Sequence, residues 1–283
     1  MIQARFQASK RHYIRNYLYN LVPVRVRRRF NKLRFDLTRR NIFLTKNEKK
    51  LKALKNIHKG QRCFIIGNGP SLRIEDLEKL NNEITLAANK IYLAFESTKW
   101  RPTYYCVTDD MVVKQNFDDI NNLSGFVKFF PSVSLTRWKT FLDNAVFFRY
   151  TYYKKRFPEP PKFGFDITDR IYAGRTVLYA LIQIAAFMGI RKIYMTGVDF
   201  DFTMPSQKKG RLLISKTENN HFHPEYRRQG EIWVDPKLDH QEAAFKAAKT
   251  ALNQLGGQIY NATRGGKLEV FPRVDFDKLF RCY

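Results

Sequence analysis

The stretch Cys63-Phe64-Ile65-Ile66-Gly67-Asn68-Gly69-Pro70-Ser71-Leu72 concentrates the chemistry on offer in this sequence. A short β-favouring apolar run stops at Gly-Asn-Gly-Pro-Ser, the order of a buried strand, a tight loop and a helix. Gly67 and Gly69 would let backbone approach a ligand, and Pro70 suits the first turn of a helix. The helix N-terminus behind the loop, with Ser71 in it, would offer N–H groups and partial positive charge to a phosphate. The Asn68 side chain both donates and accepts, so it can meet a phosphate oxygen or a sugar hydroxyl. The loop is neither G-x-G-x-x-G nor a Walker loop, which argues against a dinucleotide cofactor and against ATP hydrolysis. An ordinary strand-to-helix turn would share the same residues.

The elements that must position this loop alternate along the chain from residue 61. Strands are predicted at Arg62–Ile66, Ile84–Ala88, Thr103–Val107, Phe126–Phe130, Ala145–Phe148, Lys192–Met195 and Gln258–Tyr260. Helices are predicted near Ile74–Leu80, at the strongly apolar Thr176–Met188 and at the Ala-rich Asp239–Leu255. This alternation predicts an α/β, Rossmann-like fold: an open, mostly parallel sheet with helices on both faces. Ligands of such sheets sit outside the carboxyl ends of the strands, where Asn68, Asn89, Asp109 and Asp199 fall. Residues from about 201 to 238 are polar and lack clear periodicity, as expected of a functional lid or a disordered insertion.

The chain has 283 residues, 51 Lys or Arg and 26 Asp or Glu, a net charge of +25. Residues 1–60 hold 18 basic side chains against Asp36 and Glu48 alone, so most of the excess belongs to a basic helical extension preceding a Rossmann-like domain at 61–283. Within it Tyr13, Ile14, Tyr17, Leu18 and Leu21 recur at helical spacing, with Lys10, Arg11 and Arg15 on the other side. Aromatic and aliphatic side chains interleaved with Arg suit an anionic membrane surface, reached through residues 1–40. A packing or homo-oligomer arm is the second reading. Nucleic acid is the third, since no nucleic-acid-binding motif accompanies the charge. No apolar run approaches the length of a membrane span, and no secretory signal is visible. Three scattered cysteines (Cys63, Cys106 and Cys282) without metal spacing fit a reducing compartment. Together these predict a cytoplasmic protein, peripheral on the inner face of the plasma membrane.

Gly67-Asn68-Gly69-Pro70-Ser71-Leu72 resembles the opening loop of the bacterial CMP-sialic acid-dependent sialyltransferases that build lipooligosaccharide. Ala88-Asn89-Lys90-Ile91-Tyr92 is similar to that family's second Asn segment. Arg170-Ile171 followed by Gly174 resembles its central segment, and Lys192 to Phe200, with Gly197-Val198-Asp199-Phe200, its later strand and turn. The array with Asn219 to Pro224 and Asn261 to Pro272 looks closer still to a broader group, the 6-hydroxymethylpterin diphosphokinase-like proteins, many of them in surface-polysaccharide settings. The resemblance covers about residues 61–280. It implies a pocket in which Gly67, Asn68, Gly69, Ser71, Asn89, Asp109, Gly174, Gly197 and Asp199 hold a cytidine nucleotide. It also implies a lid histidine, His221 or His223, as general base on the acceptor hydroxyl, a task suited to an ordinary pKa near 6.5.

The departures from that pattern matter. Where the sialyltransferases place a Tyr after the Asp-Phe pair, this chain has Asp201, which while ionised cannot donate to phosphate. Arg170, Arg175, Arg227, Arg228 or Tyr226 would then have to stabilise the leaving phosphate. Alternatively, Asp109, Asp199 and Asp201 would hold Mg²⁺ for pyrophosphate transfer. The primary expectation is a glycosyltransferase with no required cofactor or metal. It would move an acidic sugar from a CMP-linked donor to a glycolipid or polysaccharide acceptor. The alternatives are a Mg²⁺-ATP diphosphokinase and a non-catalytic nucleotide-binding subunit of a polysaccharide assembly complex.

Overall fold

Four consecutive buried residues, Cys63 to Ile66, make the first strand a central one, because only a strand covered on both faces can be apolar at every position. The computed structural model describes residues 45–280 apart from 138–144, 153–158, 207, 210–211 and 217, together with Pro23, Val26 and Arg29. The expectations made for residues 1–44 lie outside the described residues. In chain order the elements are α1 (Lys46–Ala53), β1 (Arg62–Ile66), α2 (Ile74–Glu78), β2 (Ile84–Ala88), a 3₁₀ segment (Asn89–Glu96) and β3 (Tyr104–Cys106). There follow α3 (Asp110–Gln115), α4 (Phe117–Asn122), β4 (Val127–Pro131), α5 (Ser132–Arg137), β5 (Ala145–Phe148), β6 (Tyr150–Thr151) and β7 (Ile171–Tyr172). Last come α6 (Val177–Phe187), β8 (Lys192–Thr196), β9 (Lys208–Lys209), β10 (Leu212–Ile214), β11 (Ile232–Val234), α7 (Leu238–Gln254) and β12 (Gln258–Asn261).

Seven strands form one parallel sheet in the order β12-β8-β1-β2-β3-β4-β5. Alternate side chains of β1 go to opposite layers. Cys63 and Ile65 pack with α1, α6 and α7, whereas Phe64 and Ile66 pack with Leu72, Leu77, Leu80 and Phe276. Ten of the eleven α6 residues are buried. The one polar member, Gln183, is fully used: its Oε1 accepts from Gly164 and Tyr172 N–H, and its Nε2 donates to Tyr172 and Tyr179 carbonyls. Thr176 caps α6 by accepting from Leu178 N–H at 3.3 Å. The parallel α/β sheet with helices on both faces is therefore as read from the alternation of apolar segments.

The segment from 201 to 238 differs from its aperiodic appearance. It contains a three-stranded antiparallel sheet, β11-β10-β9, in which Leu213 and Trp233 face each other and are both buried. Strands of two or three residues are too short to leave a period in sequence. No helix among the described residues is long and apolar enough to cross a membrane.

Candidate active site

The chain runs outward from β1 to β5, then returns to the other side of β1 as β8. At that reversal the loops leaving β1 and β8 diverge, and a cleft of about 340 Å³ opens at the carboxyl ends of the strands. Asn68, Asn89, Asp109 and Asp199 line it at successive strand ends. Arg175 and Thr176 bring the N-terminal turn of α6 to its wall. The lid supplies His221, Tyr226, Arg227, Glu231 and Trp233.

The β1 loop is built for its neighbour loop rather than for a phosphate. A Cβ on Gly67 would overlap the Gly197 carbonyl, and one on Gly69 the Asp199 carboxylate. Gly67 and Gly69 N–H donate to the Thr196 and Gly197 carbonyls at 2.8 Å. Ser71 donates both Oγ–H (2.8 Å) and N–H (3.4 Å) to Asp199 Oδ2. Behind the loop, α2 is five residues long and its N-cap, Arg73, makes no side-chain cap. The expected cradle of N–H groups is thus spent on protein partners, and Ser71 stands behind Asp199 instead of on the cleft wall. Loss of surrounding water raises the Asp199 pKa, opposed by the Ser71 hydrogen bonds.

The two asparagines keep unused capacity. Asn68 Nδ2 donates to the Ala88 carbonyl at 3.0 Å, which ties the β1 loop to the end of β2. Asn89 turns the chain out of β2 with φ +52°, a left-handed conformation that Asn tolerates better than most residues. The Tyr105 hydroxyl holds it there by donating to its carbonyl at 2.5 Å. Asn68 Oδ1 and Asn89 Oδ1 are buried without a hydrogen-bond partner, as are His221 Nδ1, Arg227 Nε and Trp233 Nε1 on the same walls. Buried polar atoms are nearly always bonded, so this grouping singles the cleft out as the candidate site.

The lid wall is held by a buried ion pair that sequence reading missed. Lys90 Nζ donates to the Tyr226 carbonyl at 2.8 Å and pairs with Glu231 at 3.1 Å. Arg227 lies 4.2 Å over the Trp233 ring and 3.7 Å from Glu231. Burial lowers the pKa of both Lys90 and Arg227. Burial pushes the Tyr226 phenol up to about 12, so it remains a hydrogen-bond donor. His221 packs edge-on against Tyr226 with ring centroids 3.7 Å apart.

Burial, helped by Arg227 and Lys90, drives the His221 imidazole down to about 3. In the unfolded chain a histidine takes up its proton as pH falls through roughly 6.5. The folded ring stays neutral almost to its lowered pKa. Between those values the unfolded state binds more protons, so stability falls as pH falls, by up to about 1.4 kcal/mol per unit. Urea midpoints of the parent should therefore drop more steeply from pH 6.5 to 4 than those of His221→Gln. Parallel slopes would refute the buried, neutral ring.

The remaining expected site residues divide between the cleft and other places. His223 does not line the cleft; its Nδ1 accepts from Glu225 N–H and caps the turn Pro224–Tyr226. Arg170 also lies off the cleft, its guanidinium held by Asp169 at 2.9 and 3.1 Å. Gly174 serves packing, since a Cβ there would lie 2.5 Å from Tyr179 and 2.8 Å from Ala244. Gly197 lines the cleft with φ +66°, at the bend that carries Asp199. Asp109, Asp199 and Asp201 share the cleft, yet each is engaged separately: Asp109 caps α3, Asp199 accepts from Ser71, and Asp201 pairs with Lys267 at 2.9 Å. Among the described residues no three metal-ligating side chains gather into one cluster, so the three carboxylates of the alternative Mg²⁺ reading are not brought together. Lys90 and Glu231 left no signal of their own, because their pairing spans 141 residues of sequence.

No curated protein matches the chain. Among solved structures, the MAf glycosyltransferase from Magnetospirillum magneticum AMB-1 is similar, with a TM-score of 0.45 and 11% identity. That likeness covers 80% of this chain and 37% of the other, so the chain spans well under half the length of that relative. A family model described as 6-hydroxymethylpterin diphosphokinase MptE-like matches residues 38–205. That match takes in more than half of the chain, including β1 through β8 and the strand ends that carry Asn68, Asn89, Asp109 and Asp199, and the chain belongs to the MptE-like family.

Proposed function

We propose that this protein is a glycosyltransferase. It moves a sugar, of the sialic acid type or a related acidic one, from a CMP-linked donor to a surface glycolipid or polysaccharide acceptor at an anionic membrane. The observation that carries the reading is the set of unpartnered buried polar atoms on residues that line one nucleotide-sized cleft: the amide oxygens of two strand-end asparagines and, on the lid, a neutral histidine and a buried arginine. The amides suit the hydroxyls and amino group of a nucleoside. In the reaction the acceptor hydroxyl gives its proton to His221 while its oxygen bonds to the anomeric carbon of the donor. The bond from that carbon to the phosphate oxygen breaks, and its electron pair leaves on CMP. Arg227, with Tyr226 as a neutral donor, supports the phosphate charge that develops.

A second reading, Mg²⁺-dependent diphosphoryl transfer, draws on the family description. The separate engagement of Asp109, Asp199 and Asp201 gives it less support. A thermal-shift panel of CMP, CDP, UDP, GDP and ATP, each with Mg²⁺ or with EDTA, separates the two, because a ligand that binds only the folded state raises its stability. CMP is expected to stabilise the protein equally in EDTA. Asn68→Ala and Asn89→Ala should each weaken CMP by about 1 kcal/mol, roughly five-fold. Stabilisation by ATP only with Mg²⁺, and none by CMP, would overturn the glycosyltransferase reading in favour of the kinase.

A further inference from the structure

Where α1 begins decides where the basic segment joins the domain. Asn47 pairs with the free edge of strand β5: its Nδ2 donates to the Phe147 carbonyl and its Oδ1 accepts from Phe147 N–H, each at 2.7 Å. One turn later Lys50 Nζ reaches the Ala145 carbonyl at 3.5 Å. Helix α1 therefore runs antiparallel to β5. Its N-cap, Thr45, stands at the carboxyl end of that strand, the end of the sheet where the cleft opens. The far end is marked by Ile57, which is 53% exposed. Its neighbours Asn56 and His58 donate to the Phe187 and Met188 carbonyls at the C-terminus of α6, whose N-terminal turn lines the cleft.

Residues 1–44, which precede Thr45 in the sequence, carry 12 Lys or Arg against the single acid Asp36. The cleft end presents apolar side chains to solvent. Tyr152 and Val234, both on the cleft wall, are 69% and 39% exposed. Ile232 shares the outward face of β11 with Val234, and Met204 follows the lining residue Phe202 by two positions; they are 37% and 41% exposed. Exposed apolar groups at the end of the sheet where the chain enters from a strongly basic segment match the interface of an anionic bilayer.

We propose that the cleft end is the membrane-contacting face, so that the cleft mouth opens onto the headgroups of an anionic bilayer. The acceptor is then an amphiphile presented by that bilayer, a lipid-linked glycan, and not a freely diffusing sugar. This rests on the transfer reading for the word acceptor, but the orientation stands on its own geometry. The polybasic segment draws the domain down at the edge of β5. The rim at Met204 and Ile232 then dips into the interface, and a membrane-anchored hydroxyl needs no extraction to reach His221.

The test uses the full chain with Cys282→Ser, since Cys63 and Cys106 are buried. One cysteine is introduced at a time, as Met204→Cys, Ile232→Cys or Ile57→Cys, and labelled with an environment-sensitive fluorophore. Vesicles of mixed phosphatidylcholine and phosphatidylglycerol are compared with phosphatidylcholine alone. Labels at 204 and 232 are expected to brighten several-fold on anionic vesicles and to be quenched by nitroxide lipids, while the label at 57 stays unchanged. The double substitution Met204→Asp, Ile232→Asp should weaken vesicle binding about ten-fold or more. A response at 57 alone, binding with all three labels silent, or unchanged affinity of the double variant would overturn the orientation. Absence of binding to anionic vesicles at low salt would remove the membrane reading altogether. Failure of the nucleotide panel with labels 204 and 232 responding would sink the transfer reading and leave this face supported.

Discussion

His221→Ala is expected to lower transfer on the order of a hundred-fold or more, the usual loss on removing a general base, while CMP affinity changes by less than about two-fold. His223→Ala should retain most activity, because that ring caps a turn and lies off the cleft. The contrast is a consequence of geometry, since the two residues are one position apart from being neighbours. The low pKa of His221 belongs to a cleft whose nearest charges are Arg227 and Lys90. An anionic donor there would offset those cations and draw the ring back toward the working range. The parent should accordingly take up a proton when CMP binds near pH 6, measurable as a buffer-dependent binding enthalpy, and His221→Ala should not. Full turnover by His221→Ala, or equal losses at both positions, would remove the base from the lid.

Lys90→Ala is expected to be the most destabilising single change in the cleft. The Lys90 and Glu231 side chains are 6% and 11% exposed, so removing the cation leaves a buried carboxylate that has lost its nearer cation and keeps only Arg227 at 3.7 Å and the Arg228 N–H. Breaking such a pair costs about 3–5 kcal/mol, for a domain of this size a fall in Tm on the order of 10 °C. Lys90→Met with Glu231→Leu should recover part of the loss, since a buried pair is often replaceable by apolar groups of similar volume, but the change also takes from buried Arg227 its carboxylate at 3.7 Å. The rescued double variant should still bind nucleotide poorly, because Lys90 also holds the Tyr226 carbonyl and with it the position of His221. Equal melting of Lys90→Ala and the parent would show that the pair contributes nothing to the lid.

The seven main strands were legible because each is a short apolar run bounded by Gly, Asn or Asp, and their limits in the structure fall within a residue or so of the sequence expectation. The mostly parallel character followed from the predicted helices that alternate with the strands, while the strand order β12-β8-β1-β2-β3-β4-β5 came from the structure. The four strand-end residues Asn68, Asn89, Asp109 and Asp199 followed from the same alternation, because parallel strands bring all their carboxyl ends to one edge. The short elements were not legible. The 3₁₀ segment Asn89–Glu96 starts at a left-handed Asn89, and α3 and α4 are six residues each, too brief to show a helical period.

Residue types alone established that this chain builds an α/β sheet with a polar loop at its ligand edge and a basic segment ahead of it. Which groups are free to act was decided only by tertiary contacts. Gly69 and Ser71 looked ready for phosphate, but the Gly197–Asp199 turn occupies their donors. His221 and His223 were indistinguishable in sequence until one was buried against Tyr226 and the other turned to cap Glu225. Arg170 and Arg227 carry the same guanidinium, yet Asp169 claims the first, while burial leaves Nε of the second without a partner. The reason is physical: a side chain's chemistry depends on its charge and hydrogen-bond partners and on how much water it keeps. For Lys90 and Glu231 those partners lie 141 residues apart, a distance that folding closes and no local pattern records.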